Sequence, residues 1–319
     1  MNAVKTRYEF GRHETFALRE GWLDKGLSRL MTHTDGFRPD LETADDLGIG
    51  SRMAKSLAYW LDAAGLVDRG DKKRGTSYPS LFGKAVHSRD PHFEYPVTAW
   101  FVHLMLARRP GSVWNWFFND FRSQSFLREA CIEEFSKAIR EHSVNQTTPG
   151  VIQREVGCLL GTYAALPATE PIDPEDVAVS PMRALGLVVK HHDTGRFERT
   201  HPLDAVPVEA FIASVALLAE DRGSVTLPLT DLIALRNSPG RVFNLDGDMV
   251  SEAAQAAADD PPPLNGSTLK YGFDHEGGPQ WQTSDTSPTR SSRSFGRLRF
   301  CAAKAWRWRM LFARSAFPS

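Results

Sequence analysis

Cysteine is scarce: Cys131, Cys158 and Cys301 are the only three in 319 residues, far apart and never in a C-x-x-C spacing. That excludes a disulfide framework, weighs against a structural zinc site and fits a reducing cytoplasm. Long apolar runs are missing as well, so no membrane-spanning helix is expected. The opening MNAVKTRYEF lacks the apolar stretch of a secretory signal. Nor does one sign of charge prevail, since the net charge is −1. The average hides an asymmetry. Thr289 to Ser319 carries eight basic residues and no acidic one, so +8 at this end leaves −9 on the rest. Only local basic patches can therefore signal a nucleic-acid partner.

Apolar residues make up 41% of the chain, enough to fill the cores of two domains. Leu18, Trp22, Leu23, Leu27 and Leu30 recur at helical spacing and predict an amphipathic helix from Thr15 to about Thr32. Asp40 is placed to cap a short helix, LETADDLG, that ends at Gly48. After the Ile49-Gly50 turn, Ser51 is a plausible N-cap for RMAKSLAYWLDAAG. Met53, Leu57, Trp60, Leu61 and Ala64 form its apolar face, and Gly65 sits where a left-handed residue ends a helix. Arg52, Lys55 and Tyr59 recur on another face.

DRGDKKRGTSY follows, with Arg69, Lys72, Lys73 and Arg74 held around Gly70 and Gly75. Short helix, turn, helix with a basic stripe and basic hairpin is winged helix-turn-helix order. Arg52, Lys55 and Tyr59 would face a major groove, and the hairpin cations would lie against phosphates. The competing reading is an ordinary solvated helix face and a charged loop.

Residues 96 to 165 read as a helical middle. Trp100, Leu104, Trp114, Phe117, Phe118 and Phe121 fall at core spacings, and His103 reads as a satisfied core histidine. From 166 to 180 the composition turns to Pro, Asp and Glu, a boundary or long loop. Two short strands around Asp193-Thr194-Gly195, three helices and a hairpin follow, a second winged-helix-like unit. Its third helix exposes Asp248, Glu252 and Asp259, which phosphate would repel, so it reads as a protein-contact module. The fold class is thus mainly α with small β wings. Residues 1–95 form the winged-helix unit, 96–165 the helical middle, 166–283 the second unit and 284–319 a basic tail expected to be disordered.

Seven collinear stretches carry a resemblance: FGRHETFALREGWLDKGL, DDLGIGSRMAKSLAYWLDAAGLV, DPHFEYPVTAWFVHLMLA, VWNWFFNDF, VIQREVGCLLGTY, SPMRALGL and SPGRVFNLDGD. They resemble a bacterial domain family of DNA phosphorothioation islands that includes the SspB-type DNA-nicking component. The resemblance spans Phe10 to Asp248, about three quarters of the chain, and lapses after about Lys270. It implies a DNA-acting accessory of a sulfur-modification defence system. Its implied partners are a PAPS-reductase-like sulfur-transfer protein, an ATPase and a cysteine desulfurase. Some members are associated with nicking DNA.

Metal-dependent nicking needs carboxylates and an activating group converging on Mg²⁺ or Mn²⁺. The acids after Pro39-Asp40 and the His191-His192-Asp193 turn fit no such unit, and His87, Asp90, His92 and Glu94 form a loop cluster of a common kind. RHETFALRE remains. His13, Glu14, Arg19 and Glu20 could supply a base, carboxylates and charge stabilisation. Alternatively, Thr15 caps a helix, Glu14 favours its positive end and Arg12 pairs with an acid. Both readings stay open on the residues alone. The expectation is a cytoplasmic duplex-DNA-binding protein that nicks or supports nicking during phosphorothioation. The rivals are a non-catalytic adaptor for the sulfur-transfer proteins and a transcriptional regulator.

Overall fold

The computed structural model describes residues 5–70, 75–165 and 180–259 apart from 203, 205 and 225, together with the strands Ser267–Phe273 and Pro279–Asp285. Lys72, Lys73, Arg74, the 166–179 stretch and the basic tail from 286 lie outside the described residues. The fold is mainly helical with small sheets, in two compact units, Met1–Ala205 and Val206–Ser319. Among the described residues no helix is long and apolar enough to cross a membrane.

The first unit opens with α1 (Trp22–Thr32), α2 (Leu41–Leu47) and α3 (Ser51–Ala63). α1 begins seven residues later than the periodicity suggests, because Gly11 to Thr15 fold into turns instead. α2 forms as expected: the Asp40 carboxylate accepts from the Thr43 N–H at 3.0 Å, and Gly48 closes the helix at φ 62°. α3 has Gly50 in the cap position rather than Ser51, and Gly65 follows its end at φ 71°. Leu57, Trp60 and Leu61 are buried on its inner face.

An antiparallel β-ribbon of β1 (Val67–Arg69) and β2 (Ser77–Pro79) follows, in register Val67↔Pro79. Then come α4 (Leu81–Arg89), α5 (Pro96–Arg108), α6 (Val113–Asn119), β3 (Ser125–Phe126), α7 (Arg128–His142), α8 (Pro149–Tyr163) and β4 (Ala164–Ala165). α5 is buried on almost every side, which is why its sequence shows little polar face.

The core is aromatic. Trp60 and Trp114 rings lie 5.1 Å apart, and Phe118 and Tyr163 rings 5.0 Å apart. Polar atoms there are paired: Trp114 Nε1 donates to the Tyr59 hydroxyl at 2.7 Å, and His103 Nδ1 lies 2.8 Å from the Tyr163 hydroxyl. His103 is thus the satisfied core histidine expected.

β5 (Val188–Lys190) and β6 (Phe197–Arg199) complete a four-stranded sheet, order β3-β6-β5-β4, parallel only at β4–β5. Strands on either side of the Pro/Asp-rich stretch therefore share one sheet, and the first unit runs on to 205 where the composition suggested a break at 166. The second unit holds α9 (Val208–Arg222), β7 (Thr226–Pro228), α10 (Leu229–Ala234), α11 (Pro239–Val242) and α12 (Gly247–Asp259). The hairpin of β8 (Ser267–Phe273) and β9 (Pro279–Asp285) joins β7 in the order β7-β9-β8. Asp248 and Glu252 are exposed on α12 as expected.

Candidate nucleic-acid interface

The RHET stretch is a latch rather than a helix entrance. Glu14 and Thr15 both have left-handed backbone, φ 51° and 71°, a conformation costing about 1–3 kcal/mol for each side-chain-bearing residue. One local bond and several long-range ones hold it. Thr15 N–H donates to His13 Nδ1 at 3.1 Å, and Gly11 N–H to Glu155 Oε1 at 2.6 Å. His13 Nε2 lies 3.1 Å from Glu155 Oε2. From α3, Ser56 Oγ donates to the His13 carbonyl and Trp60 Nε1 to that of Phe16, at 2.9 and 3.2 Å. Outside, Arg52 Nε donates to Glu14 Oε2 at 3.1 Å. The turn is thus pinned between α3 and α8.

These bonds separate the four residues considered for chemistry. His13 is 1% exposed, its Nδ1 already accepting and its Nε2 facing Glu155. Glu14 turns to Arg52. Arg19 stacks over Phe16 and Trp22, 5.8 and 5.4 Å from the ring centroids, while Glu20 is exposed. The structure does not gather them into one site. Thr15 does not cap a helix either, since α1 starts at Trp22. The His87–Glu94 loop also has a structural account: Asp90 accepts from the Glu94 and Tyr95 N–H groups and from Thr98 Oγ1, at 2.8, 3.2 and 2.6 Å, and so organises the start of α5.

Of the residues considered for binding, Lys55 and Arg69 line one cleft, Arg52 is paired with Glu14, and Lys72, Lys73 and Arg74 lie outside the described residues. Lys55 and Arg52 are exposed on α3, but Tyr59 is 5% exposed because its hydroxyl serves Trp114 in the core. Burial raises its pKa well above the ordinary phenol value. It cannot reach a groove. A cleft of about 470 Å³ runs beside the outward stripe Lys55, Ala58 and Asp62 of α3. Arg12 and Glu14 of the latch border one side, and Arg69, Gly70 and Gly75 of the ribbon another.

Its cations differ in freedom. Arg12 and Lys55 are exposed and form no ion pair among the described residues. Arg69 clamps Asp62 with two bonds, 3.1 and 2.7 Å, and Arg109 reaches Asp62 and Glu9 at 2.8 and 2.9 Å. Burial alone would raise the Asp62 pKa, but bonds and charge from Arg69 and Arg109 outweigh it and hold the carboxyl below the ordinary range. Arg69 is therefore an anchored cation, and Lys55 and Arg12 are exposed ones without an ion pair among the described residues.

Sequence reasoning missed Glu155, Asp62, Arg109 and Glu9. Glu155 alone left a trace: it interrupts the apolar stripe Ile152, Val156, Leu159 of α8, where a charge needs a partner. No set of three His, Cys, Asp or Glu side chains is arranged to hold a cation among the described residues. Of the residues considered for a divalent metal, His13 faces Glu155 and Glu14 is paired with Arg52, while Glu20 stands exposed away from them.

A mainly helical, two-unit protein with a cation-bordered cleft on its first unit is the class that fold and site define. The chain belongs to the family described as "Protein of unknown function (DUF4007)", whose model matches residues 10–265. Among solved structures it is similar to "SspB crystal structure", at 23% identity and TM-score 0.73, over 88% of this chain and 85% of that one. It is similar to "Magnesium ion-bound SspB crystal structure" at 22% identity, with the same TM-score and coverage. No curated protein matches the chain. The likeness expected from the seven stretches is borne out in the fold.

Proposed function

We propose that this protein binds duplex DNA as a component of a DNA phosphorothioation system. The observation that carries the reading is the cleft beside α3. Helix, helix, helix and β-ribbon follow in winged-helix order. The exposed Lys55, with Arg12 beside it, flanks the channel that the ribbon closes. In this reading the outward stripe of α3 lies against the groove. Lys72, Lys73 and Arg74, at the ribbon's tip in sequence, meet phosphates. The fold shared with SspB supplies the system, and the sulfur-transfer protein, ATPase and desulfurase are its proposed partners.

The test is fluorescence anisotropy with a labelled duplex. Reversing charge at Arg12, Lys55, Lys72 and Lys73 should weaken binding at least about tenfold at moderate salt. The salt slope should fall by about one for each phosphate contact removed. Parent-like affinity in that variant ends the reading.

Strand cleavage is a second reading, supported by the fold shared with a structure titled as magnesium-bound. The His13–Glu20 set is dispersed, so no step through a metal is derived from it. Supercoiled plasmid with Mg²⁺ or Mn²⁺ separates the cases. Arg19→Gln and Glu20→Gln should leave any open-circular product unchanged, and product lost in either variant would return chemistry to this stretch. No nicking in the parent leaves the adaptor reading.

A further inference from the structure

We propose that the first unit carries a second binding site, for a phosphate ester, in a cleft on the far side of α8. Glu155 holds the latch on one side of that helix. Gly157, two residues on and so about 200° around the axis, lines a different cleft of about 340 Å³. Four basic side chains border it, Arg128, Arg183, Lys190 and His192, and no carboxylate does.

Strand alternation produces this segregation. Lys190 of β5 is directly opposite Phe197 of β6, so their side chains share the face that lines the cleft. Glu198 falls on the reverse face, where it meets His191 Nε2 at 3.0 Å. The acid on the hairpin's paired strands is thereby turned away. Gly157 contributes too: a Cβ there would lie 3.0 Å from Arg128 Nη2, so the missing side chain lets that guanidinium lie across α8.

The donors are poorly used. Arg128 makes only a long contact, 3.4 Å to the Gln153 carbonyl. Arg183 gives Nε and Nη2 to the Gly161 carbonyl at 3.3 and 3.1 Å, which fixes the fork and leaves Nη1 without a bond among the described residues. Lys190 has no ion pair among them. Three permanent cations in one cleft call for a ligand with more than one negative charge. A phosphate monoester carries about −1.5 to −2 at neutral pH, and guanidinium N–H donors such as Arg183 Nη1 suit its oxygens. The volume sits at the low end of the roughly 300–1,000 Å³ of small-ligand sites, which suits one nucleotide or one backbone segment and not a duplex.

Binding to the full-length protein is measured by titration calorimetry with 5′-dAMP and by anisotropy with a fluorescent single-stranded oligonucleotide. Lys190→Glu, and Arg128→Glu, which loses only the long contact to the Gln153 carbonyl, should each lower affinity about tenfold or more with little change in melting temperature. A loss in the dAMP arm identifies a free nucleotide as ligand. A loss in the oligonucleotide arm alone identifies a strand phosphate, and the proposal holds in both cases. Parent-like affinity of both variants in both arms, or no binding of either probe to the parent, overturns it. Reversal at Arg12 and Lys55 should leave dAMP binding intact, so this proposal and the duplex reading fail independently.

Discussion

At the scale of single residues, Glu155 and Asp62 do most to shape the cleft, though neither is a cation. Glu155 satisfies the Gly11 N–H and faces His13 from inside the core. Removing its carboxylate leaves the buried His13 Nε2 and the partly buried Gly11 N–H without that partner. Glu155→Ala should cost about 3 kcal/mol or more by urea denaturation, with Glu155→Gln losing less because an amide oxygen can still accept from Gly11. Equal losses would show that the helix, not the carboxylate, holds the latch. Asp62 gives a pH signature. Its pKa is lowered in the folded protein, so its stabilisation is present above the unfolded carboxylate value, about 4, and fades as pH falls through the folded value. Asp62→Asn should therefore cost about 1–2 kcal/mol at pH 7, discounted for partial exposure, and progressively less as pH falls below the unfolded value of about 4. A gap between variant and parent that persists in acid refutes the network's role.

Among the elements, α4 and the ribbon show how close approach is built in. A Cβ on Gly83 would stand 2.1 Å from the Leu66 carbonyl oxygen, just before β1. Gly83→Ala must push α4 away from the ribbon, at a cost of about 1–3 kcal/mol. Duplex affinity should fall with it, since the ribbon closes the cleft. Stability and affinity equal to the parent's would mean that the helix adjusts freely. Elements of this kind were legible wherever a local pattern decided them: Asp40 and Gly48 bound α2, and the apolar stripe of α3 buries as read except at Met53, which is half-buried. Locally unreadable features rest on partners far away in sequence. Thr15 looks like a cap until Glu155, 140 positions on, holds the turn that replaces the helix. Tyr59 lies on the basic stripe of α3, yet its hydroxyl is taken inward by Trp114, a bond that no spacing announces. Lys55 and Arg69 were readable from sequence as candidate contacts, whereas Arg12's place in the cleft and the acids that anchor Arg69 were not.

At the scale of the molecule, charge and the division into units make competing demands. The chain up to residue 288 carries −9 and would repel a polyanion, while the last 31 residues carry +8. Duplex binding must then come either from a local patch on the first unit or from the basic end. The two units are each compact, as domains able to fold alone are. A fragment of residues 1–205 tests the alternatives directly. If the α3 cleft is the reader, the fragment should melt cooperatively and hold duplex within about threefold of the full chain. Its salt slope should be shallower only by the phosphates that the basic end neutralises. A folded fragment whose affinity drops more than about tenfold would move the main contact beyond residue 205. Screened attraction to the tail, rather than a groove-facing helix, would then account for binding.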